Sequence, residues 1–301
     1  MVFDRIREKL GNYSKLVMFS HTIFSLPFGL IAMLWAYGGI PPLRLFALIL
    51  AALVFARNGA NAFNRVADRK IDAKNDRTAS RPIQTGDVKL SEAWIIVIVC
   101  LGGFALCAWF LNPMCLALLP LAVFIFAFYS YTKRFTWLCH FVLGLACGGA
   151  PVGAWVAVTG GLSLTPLALG GAMMFWVAGF DIIYATQDIE FDRREGLHSI
   201  PARFGLEGAL KIAALSHLAA VFCLSAVSAL RPQGILYFAG ILAVSCLLVY
   251  EHRAIRPSNR KQMTFVVYSM NQIVGVTFFL FALLDFFIIK EKIIWITLPW
   301  V

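Results

Sequence analysis

Runs of about 20 apolar residues recur from end to end of this 301-residue chain, broken only by short polar or Gly/Pro-containing segments. A helix needs ~20 apolar residues to cross the hydrocarbon core of a bilayer. Inside lipid, only helices and closed barrels satisfy all their own backbone hydrogen bonds. The period-two alternation of barrel strands is absent. The chain is therefore read as all-α, a polytopic membrane protein. A share of 60% hydrophobic and 14% charged residues excludes an ordinary soluble domain.

Nine spans are expected, near residues 16–37, 43–63, 91–111, 113–131, 136–158, 165–187, 208–230, 233–250 and 264–289, arranged around a central cavity. Turn signals such as Gly38-Gly39-Ile40-Pro41-Pro42, Asn112-Pro113 and Gly160-Gly161 separate them. Residues 1–15 carry both charge signs and read as an amphipathic interfacial helix rather than a cleavable signal. Residues 16–290 form one transmembrane domain, and 291–301 a short non-cytoplasmic tail. With nine spans and a cytoplasmic N-terminus, only Arg44, Arg231, Lys290 and Lys292 of the 26 Lys and Arg fall outside; the other 22 lie inside. The expected location is a bacterial-type inner membrane. The net charge of +10 then reflects topology and contact with anionic lipid, not nucleic acid. The seven cysteines all sit in apolar runs without a Cys-x-x-Cys pair, so they read as small buried hydrophobes.

Two polar stretches interrupt this pattern, both on the expected cytoplasmic face. In Asn61–Gly86, Asn64, Asp68 and Asp72 follow at i, i+4 and i+8, one slowly turning stripe of oxygens on a helix. Asn58 and Asn61 extend it toward the membrane. Hard oxygens suit Mg²⁺, which takes one or two carboxylates and leaves other positions to water and substrate phosphate. Lys70, Lys74, Arg77 and Arg81 stand among the carboxylates. A diphosphate, neutralised by metal and gripped by cations, accounts for both signs. In the second stretch, Asp181, Asp188 and Asp192 would share one face of a continuous helix, Asp181 deepest, with Glu190 and Glu195 pointing elsewhere into solvent. Two such stripes on one face could clamp one diphosphate through two Mg²⁺ ions.

These residues resemble the signatures of the UbiA superfamily of intramembrane aromatic prenyltransferases. The first signature is matched by Asn64-Arg65-x-x-Asp68-x-x-x-Asp72, continued by Arg77-Thr78, Arg81-Pro82 and Gly86. The second is matched by Asp181-x-x-Tyr184-Ala185-x-x-Asp188-x-x-x-Asp192 and Arg203-Phe204-Gly205. Between them, Tyr129 and Lys133 match a Tyr-x-x-x-Lys element. The resemblance implies a polyprenyl diphosphate donor, a small aromatic acceptor of the 4-hydroxybenzoate kind, and Mg²⁺. It implies Asn64, Asp68 and Asp72 around one ion and Asp188 and Asp192 around the other. Lys133, Arg77, Arg81 and Arg134 become diphosphate contacts, with Tyr129 nearby. Asp181 or Asp192 becomes the proton acceptor, and Asn61 and His21 become substrate contacts.

Arg65 stands where the signature usually has Asp, which is similar to the 4-hydroxybenzoate-type branch. The first span holds no Lys or Arg for a benzoate carboxylate, so a dihydroxynaphthoate on a menaquinone route is the alternative acceptor. Haem farnesylation uses the same fold. A transporter reading fails to explain why the ionisable residues cluster at one face instead of the midplane.

Overall fold

The structure, a computed structural model, describes residues 2–18, 22–255 and 260–297, with side chains described for 7–18, 26–255, 267 and 269–288. Among the described residues every regular element is helical. The helices are α1 (Val2–Val17), α2 (Thr22–Tyr37), α3 (Leu43–Asp72), α4 (Pro82–Thr85), α5 (Leu90–Leu111) and α6 (Pro113–Thr132). They continue with α7 (Cys139–Thr159), α8 (Leu164–Ala185), α9 (Ile189–Arg194), α10 (Ile200–Leu230), α11 (Ile235–Ala254) and α12 (Arg260–Thr297).

Eight helices among the described residues are long and apolar enough to cross a membrane, which makes the chain an integral membrane protein. They coincide with the second to ninth expected spans. The expected first span runs across residues 19–21, outside the described residues; its described part, α2, has 16 residues and a length of about 24 Å. His21 and Ser20 also lie outside the described residues. Helix α12 continues to Thr297, so most of the segment expected as a tail is helical.

Local chemistry sets the helix ends. Asn112 accepts a hydrogen bond from Cys115 N–H at 2.9 Å, capping α6, and donates to the carbonyls of Val156 and Ala157 at the end of α7. Pro113 occupies the first turn of α6, where a missing N–H costs nothing. Gly205, at φ 71° and ψ −177°, breaks α10, a conformation that other residues adopt only with strain.

The spanning helices pack as a closed sequence. Each of α3, α5, α6, α7, α8, α10, α11 and α12 contacts the next, and α2 contacts both α12 and α3 to complete the ring. Helix α8 is the most enclosed, with Leu169, Met173, Ile182 and Ile183 fully buried. Phe28 of α2 stacks between Trp176 of α8 and Phe278 of α12, at 5.4 and 4.9 Å. At 30 residues, α3 is about 45 Å long, well beyond a ~30 Å hydrocarbon core. Its last turns, which carry Asn64, Asp68 and Asp72, therefore project past the apolar layer.

Lipid offers no hydrophobic drive between helices, so tight backbone approach must do the holding. Helices α7 and α8 meet at glycines. A Cβ on Gly144 would stand 2.2 Å from the Met174 carbonyl oxygen, and one on Gly148 would stand 2.5 Å from that of Gly170. Gly148→Val should therefore force α7 from α8 and cost about 1–3 kcal/mol. A lowered thermal midpoint in detergent is the expected reading; an unchanged midpoint would show that the contact does not hold the pair.

Candidate functional site

The end of α3 and the corner after α8 come together at one end of the bundle. On α3, Asp68 and Asp72 are only 3% and 4% exposed, and burial at that level requires partners. Lys133 Nζ lies 2.7 Å from Asp68 Oδ2, and Arg134 Nη2 lies 3.2 Å from Asp68 Oδ1. Asn64 Nδ2 donates to Asp68 Oδ2 at 3.2 Å. Arg81 grips Asp72. The loop that returns Arg81 is folded on itself: Thr78 Oγ1 donates to the Asp72 carbonyl at 2.8 Å, and Arg77 N–H donates to Asn75 Oδ1 at 3.0 Å.

The same loop reaches the second acidic stretch. Arg77 Nε donates to Asp188 Oδ1 at 2.9 Å, while its Nη2 holds the other carboxylate oxygen in a two-pronged contact. Arg77 Nη1 donates to the Tyr184 hydroxyl at 2.7 Å, and the guanidinium lies over the Tyr184 ring at 4.8 Å. Asn75 Nδ2 donates to Asp188 Oδ1 at 3.0 Å. The two stripes thus meet through Asn75 and Arg77, and the sequence reading had not assigned Asn75 a part.

The expected continuous helix from Asp181 to Asp192 is not what forms. Helix α8 ends at Ala185, a 3₁₀ turn covers Thr186–Asp188, and α9 follows. The tighter turn swings Asp188 toward Arg77 and separates the surroundings of the three aspartates. Asp192 accepts from Ser199 Oγ at 2.7 Å and lies in electrostatic reach of Asp188, Lys133 and His140. Glu195, expected to be simply solvated, pairs with Lys74 at 2.5 Å; Glu190 is exposed as expected.

Deeper in, Asp181 Oδ2 meets His140 Nδ1 at 2.7 Å. The Ile200 N–H donates to His140 Nε2 at 3.4 Å, so the ring proton is assigned to Nδ1, donated to Asp181. Tyr129 lies in electrostatic reach of Asp181, Asp68 and Arg65. Arg65 is 9% exposed and turns Nη2 to the Met18 sulfur. Asn61 donates to the Val17 carbonyl at 2.7 Å, which engages it with α1. His140 went unnoticed in the sequence because it sits 41 residues from its partner in an apolar run.

Arg57 is a further residue the sequence reading counted only as topological charge. It lies at i−7 from Asn64, on the same face and about 10 Å deeper. Its Nη1 contacts Cys147 Sγ at 2.8 Å, and its Nε is buried without a hydrogen-bond partner. The same helical period that joins Asn64 to Asp68 could have found it.

Among the described residues, no three Asp, Glu, His or Cys side chains converge to cage a metal ion. The carboxylates fit Mg²⁺ in the mode that uses one or two protein oxygens and leaves the rest to a bound phosphate. The pattern of the UbiA prenyltransferase family matches residues 25–280.

This chain belongs to the UbiA prenyltransferase family.

It is a prenyltransferase of that family. It is 34% identical over 283 residues to the 4-hydroxybenzoate octaprenyltransferase of Xanthomonas campestris pv. campestris, covering 90% of this chain and 91% of that protein. The enzyme of the same name from Shewanella pealeana is 29% identical over 293 residues, covering 94% and 99%. An apo UbiA homolog from Aeropyrum pernix K1 superposes with a TM-score of 0.80 at 33% identity, over 88% of this chain and 98% of that one. A homolog from Archaeoglobus fulgidus bound to GPP and Mg²⁺ shares the fold, with a TM-score of 0.69 at 21% identity over 91% and 99%.

For this UbiA protein, the His140–Asp181 contact yields a direct expectation. His140→Ala removes the buried donor that orients Asp181; it should lower turnover by up to about 100-fold and, because a buried pair is broken, lower the thermal midpoint as well. Turnover equal to wild type would remove the pair from the reaction.

Proposed function

We propose that this protein transfers a polyprenyl group from its diphosphate to a ring carbon of an aromatic acid of the 4-hydroxybenzoate type, in quinone biosynthesis. The observation that carries this reading is the set of carboxylates, each already paired with cations, where the two signature stretches meet. Asn64, Asp68 and Asp72 would hold one Mg²⁺, and Asp188 and Asp192 a second. Bound Mg²⁺ supplies positive charge that neutralises the diphosphate as a leaving group.

The chain's own residues do the rest by exchanging partners. Arg77, Arg81, Lys133 and Arg134 face carboxylates here, and each can turn to a diphosphate oxygen when those carboxylates are otherwise engaged. Their charge favours breaking the allylic C–O bond, since it is stronger on the departing diphosphate than on the intact ester. The surrounding helices exclude water from the allyl cation. The acceptor's ring carbon then bonds to the prenyl carbon, and the ring proton passes to Asp181, whose Oδ2 is held by His140 Nδ1–H. Tyr129, in electrostatic reach of both Asp68 and Asp181, would stand near the reacting groups.

Arg57 supports an acidic acceptor. A half-buried guanidinium about 10 Å below Asn64, its Nε buried without a hydrogen-bond partner, favours a carboxylate partner, which both benzoate and naphthoate acceptors carry. The nine-helix arrangement, counting α2, then has its N-terminus and this site on the cytoplasmic side, as the distribution of Lys and Arg favours.

The deciding assay combines purified protein, Mg²⁺, a polyprenyl diphosphate and a panel holding 4-hydroxybenzoate and dihydroxynaphthoate. Prenylated 4-hydroxybenzoate is expected, and chelation of the metal should abolish its formation. No product with any acceptor from folded protein would refute the reading, and product from the naphthoate alone would reassign the pathway. Asp68→Ala and Asp188→Ala should each remove turnover. Arg57→Leu should raise KM for the aromatic acid roughly 10–100-fold, the worth of a charge-assisted hydrogen bond, and leave KM for the diphosphate unchanged. An unchanged acceptor KM would show that Arg57 does not bind it.

A further inference from the structure

A second cationic site lies on the outer side of the same bundle end. A cleft of about 420 Å³ opens between α3, α5 and the end of α6. Its apolar wall is Phe63, Trp94 and Tyr131; its rim is Arg69, Lys70 and Arg134. The wall is built: Phe63 meets Trp94 and Tyr131 edge to face, with ring centres 6.0 and 6.2 Å apart. Trp94 and Tyr131 remain 41% and 44% exposed.

The rim carries charge without compensation from its own lining, which holds no carboxylate. Among the described residues neither Arg69 nor Lys70 forms an ion pair. Glu92, two residues before Trp94, is taken by Lys9 at 2.7 Å. Arg134 lies over the Tyr131 ring at 4.5 Å, and its Nη2 is held by the Ala67 carbonyl at 2.9 Å and Asp68 at 3.2 Å. Asp68 also meets Lys133, so one carboxylate faces two cations and leaves net positive charge at the cleft.

Position completes the case. Trp and Tyr rings concentrate at the level of lipid headgroups, and these two stand at the polar ends of α5 and α6. The outward faces of the same helices expose Ile95, Ile98, Phe124 and Phe128, side chains suited to acyl chains. An anionic headgroup above an apolar chain matches a cleft that is cationic at its rim and aromatic along its wall.

We propose that this cleft binds an anionic glycerophospholipid of the surrounding membrane, its phosphate between Arg69 and Lys70 and an acyl chain against Phe63, Trp94 and Tyr131. The site is separate from the diphosphate clamp, although Arg134 borders both. Binding of the lipid needs no prenyl transfer, so the proposal stands or falls independently of the enzymatic reading.

The test is native mass spectrometry of the full chain released from detergent micelles with equal phosphatidylglycerol and phosphatidylcholine. Wild type should retain one phosphatidylglycerol in preference to phosphatidylcholine. A surface cation is worth roughly fivefold toward anionic lipid, so Arg69→Gln with Lys70→Gln should lower that preference about tenfold or more. Arg69→Lys with Lys70→Arg, which keeps both charges, should retain it, as should Arg193→Gln with Arg194→Gln, which removes charge elsewhere. Equal retention by wild type and the Arg69/Lys70 neutralised protein would overturn the proposal. So would loss with Arg193/Arg194, which would mean a diffuse charge effect. Displacement of the lipid by millimolar inorganic diphosphate would reassign the cleft to a soluble phosphate ligand.

Discussion

Charge compensation at one end of an apolar bundle is the constraint on which the rest depends. Carboxylates as buried as Asp68 and Asp72 lose their hydration, a penalty of several kcal/mol each unless opposite charge and hydrogen bonds replace it. Every element around the site brings such a replacement: the turn after α6 brings Lys133 and Arg134, and the loop after α3 brings Asn75, Arg77 and Arg81. These loops keep their shape because their side chains are committed to carboxylates on other elements. The Lys133 carbonyl, which accepts from His198 N–H at 2.6 Å, ties the α6 turn to the segment before α10 as well.

The same pairing keeps the site stable without ligands. On the proposed function, a carboxylate held by a cation would release it to a diphosphate when a divalent ion took its place, so that no charge stood buried alone. The bundle below contributes rigidity rather than chemistry. Glycine contacts bring α7 against α8 and fix the distance between His140 at the start of α7 and Asp181 near the end of α8. Phe28, Trp176 and Phe278 fill the interior where α2 closes the ring.

Much of this was legible in the residues. Long apolar runs leave a membrane chain few alternatives, so eight spans fall on the helices that form, although α3, α10 and α12 run well past the expected ends into polar segments. The stripe Asn64, Asp68, Asp72 was readable because one uninterrupted helix carries it, and period then equals direction. The second stripe misled for the converse reason. Periodicity assumes a continuous helix, whereas the chain tightens to a 3₁₀ turn at Thr186–Asp188 and redirects Asp188. Arg57 shared the first period, yet its charge had been assigned to membrane topology.

By itself the sequence determined the fold class, the order of most spans, and the two polar stretches with their acidic residues, since these follow from hydropathy and helical period. Only the tertiary structure decided which cation meets which carboxylate. It also joined His140 to Asp181 and Asn75 to Asp188, and set Arg69, Lys70 and Arg134 around one aromatic cleft. Partners 41, 66 or 113 residues apart leave no periodic mark on the chain; their meeting is set by helix packing and by burial, which demands an opposite charge wherever a carboxylate loses water.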